Sequence, residues 1–430
     1  MALRFDQPWE GLWAGCISVL HDPVTQRYFM YYRGLPILED DHHAHENTCV
    51  ATSDDGIHWT KPMLDRHPAY GAQRNNIIIY GVRGASHNFS PFYDTRPGVP
   101  EAERFKAIAG THPQGLFGYV SADGFDWRPI SSEPLLTSEA FAFDSQNVAF
   151  WSEHEQRYVC YFRTWRSLDS HKGLGVRWIS RSTSEDFAHW SAFEQMDAGD
   201  TPPEHLYTQQ THPYFRAPHI YISLAARFMP GRQAITEEQV KALGVAPGYE
   251  KDCSDTVLMT SRGGARYDRT FMESFLRPGP GAANWISRTN YAGLGIIPTA
   301  MGQMSLFAHR HYAQPTAHAG RFTLRTDGFA SVHASYAGGE MRTHPLVFTG
   351  GELVLNVATS AAGGVRIELQ DAAGKPIEGY ALRDAVEIVG DDIERVVRWT
   401  RGSDVSALAG QAVRVRMVLS DADVYAMRFR

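Results

Sequence analysis

A seven-residue pattern returns along this chain at intervals too regular for unrelated loops. Ser53-Asp-Asp55-Gly56-Ile-His-Trp59 recurs as Ser121-Ala-Asp123-Gly124-Phe-Asp-Trp127 and as Ser184-Glu-Asp186-Phe-Ala-His-Trp190. Ser261-Arg-Gly-Gly264-Ala-Arg-Tyr267 is a worn copy, and Arg325-Thr-Asp327-Gly328-Phe-Ala-Ser331 reads as a fifth. The aromatic ends at 59, 127, 190 and 267 stand 68, 63 and 77 residues apart. Self-similarity at such a period marks a repeat architecture, in which each repeat is one supersecondary unit. Each copy follows a strand-like run, at 48–52, 116–120, 176–181 and 256–260. Asp-Gly suits a tight turn between a third and an outer strand, and the aromatic residue can wedge into the gap beside it. The unit is structural rather than catalytic.

Between the copies, antiparallel hairpins rich in β-branched and aromatic residues dominate. Residues 12–20 and 28–33 form the first, and runs near 89–93, 148–151, 213–221 and 291–298 open the others. Only 236–243 reads as helix, with Thr236 as its cap and Glu237 and Glu238 in the first turn. The expected fold is all-β: a five-bladed β-propeller over residues 1–319. From about residue 320 the strands alternate apolar and polar residues, as in 344–348, 351–358, 364–370 and 412–419. One-faced alternation predicts a C-terminal β-sandwich over 320–430, which either binds carbohydrate or buttresses the propeller.

With 430 residues and 43% hydrophobic content the chain can bury large cores. A formal charge of -7 without any Lys/Arg run argues against nucleic acid or an anionic membrane as partner, while a homo-oligomer stays open. Cys16, Cys49, Cys160 and Cys253 are far apart in apolar runs, which fits buried thiols better than a disulfide frame or a metal site. No stretch approaches ~20 apolar residues, and Met1-Ala-Leu-Arg-Phe-Asp lacks a signal peptide's apolar core. The expected location is the cytoplasm, or outside the cell if a leader was cleaved.

The densest polar cluster ahead of a buried strand is Phe143-Asp144-Ser145-Gln146-Asn147. Such a cluster is a poor way to build a core and a good way to build a site, although Asp144 and Asn147 could also simply bond a strand-end turn. Together with Trp9-Glu10-Gly11, Ser86-His87-Asn88-Phe89 and Asn284-Trp285, on a propeller followed by a sandwich, it resembles the glycoside hydrolases of families 32, 43, 68 and 117. The nearest resemblance is to a family-32-related group. The invertase signatures Asn-Asp-Pro-Asn, Arg-Asp-Pro and Glu-Cys-Pro are absent; His21-Asp22-Pro23 lies at the wrong end of its strand.

The resemblance implies three carboxylates where the innermost strands of the first three blades begin. Those places hold Glu10, His87 with Asn88, and Asp144. Asp144 is expected as nucleophile or base, with Glu204 as proton donor and Glu10 as its alternative. His87 could replace the missing acid, since imidazole titrates near neutrality. His87, Asn88, Gln146, Asn147, Arg163, Tyr207, Asp255, Trp285 and Arg288 are the expected sugar contacts, because sugars stack on rings and bond amides and guanidinium groups. Glu10 and Asp255 could instead sit in ion pairs with Arg288 or Arg163. No cofactor or metal is expected: the spacing of Asp40-Asp41-His42-His43-Ala-His45-Glu46 matches no standard zinc pattern and reads as a rim contact with substrate. The implied activity is a glycosidase acting on a small glycoside or oligosaccharide, exo-acting because the insertion at 232–251 could wall off one side. A non-catalytic carbohydrate- or protein-binding propeller, and a transglycosidase or phosphorylase, are the alternatives.

Overall fold

A computed structural model describes residues 1–38, 42–167 and 175–430. The chain divides into two units, Met1–Thr299 with Ser305–Phe322, and Ala300–Met304 with Thr323–Arg430. The first is built from four-stranded antiparallel sheets, four of them made of consecutive segments. After the short β1 (Leu3–Arg4), sheet one holds β2 (Gly15–Asp22), β3 (Arg27–Gly34), β4 (Asn47–Ser53) and β5 (Ile77–Tyr80). Sheet two holds β6 (Ser90–Tyr93), β7 (Phe105–Thr111), β8 (Gly115–Ser121) and β9 (Arg128–Pro129). Sheet three holds β10 (Val148–Ser152), β11 (Arg157–Arg166), β12 (Val176–Ser184) and β13 (Glu194–Gln195). Sheet four holds β14 (His212–Tyr214), β15 (Ala217–Met229), β16 (Cys253–Ser261) and β17 (Ser274–Leu276). Sheet five joins β18 (Ile297–Ala300), β19 (Gln303–Arg310) and β20 (His318–Arg325) to β1, so the N-terminal strand supplies the last edge.

The repeated motif does what its residues dictate. It follows the third strand of its sheet, where the Ser53 hydroxyl accepts from the Gly56 N–H and Asp55 Oδ1 accepts from the Ile57 and His58 N–H groups. The same bonds recur at Ser121 with Asp123 and at Ser184 with Asp186. Gly56 and Gly124 hold φ of 70° and 78°; in the third copy Phe187 occupies the same left-handed region at 70°. The indole N–H groups of Trp127 and Trp190 donate back to the Gly124 and Phe187 carbonyls at 3.0 Å. Each wedge therefore fixes the path from third to fourth strand.

Neighbouring sheets pack face to face. Phe29, Tyr31 and Val50 of sheet one bury against Phe89, Phe105 and Tyr119 of sheet two, and Tyr158 to Phe162 carry the core shared by sheets two, three and four. First strands lie side by side in chain order, and Ser18 of β2 bridges Leu294 ahead of β18, which closes a ring. Two buried amides tie its centre: Gln146 Nε2 donates to Ser18 Oγ at 2.9 Å, and Gln210 Nε2 donates to Gln146 Oε1 at 2.7 Å and to the Ala292 carbonyl at 3.0 Å.

Two expected strands differ. Residues 213–221 form a hairpin with a turn at Phe215-Arg216, not one strand, and most of 291–298 lies outside β18. The helix α1 (Glu237–Leu243) forms as expected, with a reciprocal capping box between Thr236 and Gln239.

The second unit is a five-stranded antiparallel sheet of β21 (Val332–Ala334), β22 (Gly339–Arg342), β23 (Leu353–Asp371), β24 (Asp391–Val396) and β25 (Val413–Phe429). Runs expected as separate strands are fused: 351–358 and 364–370 belong to one 19-residue strand that shifts register between Thr359 and Gly364. Residues 344–348 form only a single bridge, at Leu346. Leu353, Leu355, Ile367, Leu369, Val415 and Met417 bury around Trp399, whose Nε1 donates to the Ile367 carbonyl at 2.9 Å.

Candidate functional site

A non-glycine residue in the left-handed region stands at or ahead of each first strand of the ring: Cys16 (φ 52°) within β2, then Asn88 (52°), Phe143 (67°), Gln210 (48°), and Arg288 (59°) with Asn290 (72°) before the fifth. Such backbone persists only where its surroundings over-determine it. At 142–145 the reason is visible. Asp144 N donates to the Ala142 carbonyl and Ser145 N to the Phe143 carbonyl, while Asn147 Nδ2 clamps the Phe143 and Ser145 carbonyls at 2.8 and 3.1 Å. Asn147 is thus spent on the turn, and Asp144 is turned out.

These turns surround a cavity of about 300 Å³, at the small end of the range for small-molecule sites. Cys16 and Arg33 line it from sheet one, His87 and Asn88 from sheet two, Asp144 and Gln146 from sheet three, and Tyr207 from sheet four. Arg288, Tyr291, His309 and Tyr312 close the fifth side, and the helical insertion adds Tyr249.

Glu46, His87 and Asp144 follow one another in a chain of contacts. Glu46 Oε2 lies 2.7 Å from His87 Nδ1, and Glu46 Oε1 accepts from the Asn88 N–H at 3.1 Å. His87 Nε2 faces Asp144 Oδ1 at 3.9 Å. Arg33 Nη1 donates to Asn88 Oδ1 at 2.9 Å, which fixes the amide so that its Nδ2 points to His87 Nε2 at 2.7 Å. Burial alone would raise the Glu46 carboxyl; the charge of His87, the bonds to His43 and His87, and the nearby Arg33 outweigh it and hold the acid well below the usual range. Asp144 follows the same balance: burial raises it, but Arg163 at 2.8 Å, with His87 and Arg288, keeps it ionised. Burial, with Arg33 nearby, pushes His309 down to about 3, so that imidazole stays neutral.

His43, Glu46 and His87 also bring one ligand atom each to within 4.8 Å of one another. Two imidazoles and a carboxylate are a donor set that suits zinc or manganese. The sequence spacing hid this, because the third donor lies 41 residues beyond Glu46. Asp40 and Asp41 of the same run lie outside the described residues.

The remaining expected residues do not join the cavity. Glu10 is fully buried, accepting from Tyr32 Oη at 2.6 Å, Lys61 Nζ at 2.8 Å and the Gln7 N–H at 2.8 Å. Its ion-pair reading holds, with Lys61 rather than Arg288 or Arg163. Glu10→Ala is expected to cost about 3 kcal/mol in urea unfolding, because Lys61 loses its buried partner, while leaving ligand affinity at the cavity unchanged. Glu204, Asp255 and Trp285 line a second, larger cavity of about 610 Å³ in the same unit. There Arg227 binds Asp255 at 2.7 Å and Glu204 at 3.0 Å, and Arg269 binds Glu204 at 2.5 Å. Both acids are thus held in ion pairs away from the smaller cavity. Its residues Arg33, Tyr249, His309 and Tyr312 escaped the sequence reading, and Glu46, beside it, was named only as part of the 40–46 run. Arg33 alone left a trace, since Tyr28 to Arg33 and Tyr158 to Arg163 share the pattern Tyr-x-x-x-aromatic-Arg.

No protein-family model matches the sequence, and no curated protein matches it. Solved structures match it in fold. An N-acetylgalactosamine deacetylase from F. plautii, in complex with blood group B trisaccharide, superposes with a TM-score of 0.50 at 11% identity, over 76% of this chain and 94% of its own. A structure described as a glycoside hydrolase gives 0.51 at 10% identity, over 75% and 90%. The scaffold is glycosidase-like. A family 43 arabinoxylan arabinofuranohydrolase from Bacillus subtilis, in complex with cellotetraose, covers 98% of this chain and 96% of its own at 13% identity and a TM-score of 0.45. The first two of these share the nearly all-β fold with the chain.

Proposed function

We propose that the five sheets are the blades of a five-bladed β-propeller, that the C-terminal unit is a β-sandwich, and that the axial cavity hydrolyses a glycosidic bond at the end of a small glycoside or oligosaccharide. The observation that carries this reading is the chain of contacts from Glu46 through His87 to Asp144 at the mouth of the ring. Ionised Asp144 acts as nucleophile or base. In the free site His87 Nε2 accepts from Asn88 Nδ2. A proton taken up at Nε2 when substrate displaces that amide is delivered to the departing glycosidic oxygen as the bond to the anomeric carbon breaks, with Glu46 holding the imidazolium through Nδ1. A water then supplies the new oxygen at that carbon and returns a proton to His87. The small cavity, and the ring of Tyr249 set at its wall by the insertion, favour a single terminal sugar over an internal segment of a polymer.

A panel of nitrophenyl furanosides and pyranosides tests the activity, and product analysis tests the mode: release of mixed internal oligomers would sink the exo reading. Asp144 also sets a pH limb. Because its folded value is lowered, activity should persist as pH falls below the ordinary carboxylate range. Arg163→Gln removes the main charge holding it there and is expected to move the acidic limb of kcat/KM to higher pH.

A second reading is favoured by the 3.9 Å gap between His87 and Asp144, which is shorter than the ~5 Å at which two groups flank a glycosidic bond. It is also favoured by the His43–Glu46–His87 donor set. Here the bond cut would be an ester or amide on the sugar, the class of the F. plautii deacetylase, with the three residues holding a divalent cation. Loss of activity on chelation, restored by zinc or manganese, together with calorimetric cation binding that Glu46→Gln weakens, would select it.

A further inference from the structure

We infer that the axial cavity selects a sugar bearing a negatively charged substituent, a carboxylate or a sulfate, and that Arg288 recognises it; this rests on the reading of the cavity as a sugar site. Three guanidinium groups crowd one ring: Arg163 and Arg177 each lie 5.0 Å from the centroid of Tyr207, and Arg288 lies 5.5 Å from it. Arg33 lines the same cavity. The anionic side is smaller. Among the described residues the carboxylates at this place are Asp144, taken by Arg163, and Glu46, taken by His43 and His87.

Among the described residues no carboxylate lies within ion-pair distance of the other guanidinium groups. Arg33 donates to Asn88 Oδ1, the Trp13 carbonyl and Tyr312 Oη, all neutral. Among the described residues the Arg177 guanidinium meets His205 Nδ1 at 3.3 Å and no carboxylate. Arg288 makes no hydrogen bond or ion pair to any described residue, its Nε is buried without a partner, and its charge is flanked by the rings of Tyr207 and Tyr249, the latter at 5.3 Å. Arg288 is half-buried in the cavity wall, with no anion at hydrogen-bond distance among the described residues, and ring faces stabilise such a charge only in part. Its backbone is held at φ 59°, so the side chain is placed there against local preference. A carboxylate or sulfate accepts two parallel N–H bonds from such a fork, which no hydroxyl can. The chain as a whole carries -7, so this positive cavity is a local feature rather than a property of the surface.

Calorimetry with glucuronate, galacturonate and galactose 6-sulfate against glucose and galactose tests this without needing turnover. Each acid or the sulfate is expected to bind about tenfold tighter than its neutral parent, in the unaltered protein and in D144N alike. Whichever charged sugar is retained names the substituent. Arg288→Gln should bring the ratio to about one, each charged sugar being compared with its own neutral parent in the same variant. Arg288→Lys, which keeps the charge and most of the packing, should reduce the ratio several-fold through loss of the fork. Equal binding of charged and neutral sugars, or an undiminished ratio in both Arg288 variants, overturns this inference alone. Failure of all five sugars to bind overturns the sugar-site reading with it.

Discussion

Asp144→Asn is expected to lower turnover about 10³-fold while leaving sugar affinity within a few-fold of the parent. The side chain is 42% exposed and opens into the cavity, so the exchange creates no buried void. Asparagine keeps an oxygen for the N–H of Arg163, and the turn around it is held by Asn147 and backbone bonds that do not involve the carboxylate. What is lost is the charge and the lone pair that attack the anomeric carbon or activate water. Measured kcat on the best nitrophenyl glycoside, beside calorimetric affinity for the same sugar, separates the two effects. Near-parental kcat in D144N would remove Asp144 from the reaction. A parent that binds sugar yet turns over none of the panel would instead make the propeller a binding module.

The parts of the fold written in local chemistry were legible. Ser-x-Asp-Gly turns with a Trp three residues later depend on side chain to backbone bonds within one segment, so the repeat announces itself without any tertiary knowledge. The Thr236 capping box is local in the same way. Asp144 was legible because the polar cluster precedes an apolar strand within five residues. Glu46 was not, because its meaning comes from His87 in the next sheet. Glu204 and Asp255 misled for the complementary reason: an acid before a strand looks the same whether it faces a substrate or Arg227 and Arg269. The fused strand β23 shows a further limit, since a bulge that bends one long strand at Gly363-Gly364 leaves the same glycine signature as a turn between two.

Glu46→Gln is expected to reduce kcat by about 10²- to 10⁴-fold with little change in KM, because Glu46 acts through His87 rather than on the sugar. The carboxylate accepts from His87 Nδ1 and from the Asn88 N–H, so it fixes both the ring and the amide that meets Nε2. A neutral amide can turn its NH2 toward the imidazole and can no longer stabilise the charged ring. If Glu46 and His87 work as one unit, adding His87→Gln to Glu46→Gln should cost little more, whereas independent residues would show additive losses. The variant also carries a stability signature. A carboxyl held below its ordinary 4.5 contributes stability that is complete above that value and is lost as pH falls from there toward the lowered folded value. Melting temperatures of parent and variant should therefore differ most at neutral pH and converge on acidification. A constant gap across that window, or parental kcat in the variant, would show that Glu46 only fills space behind the ring.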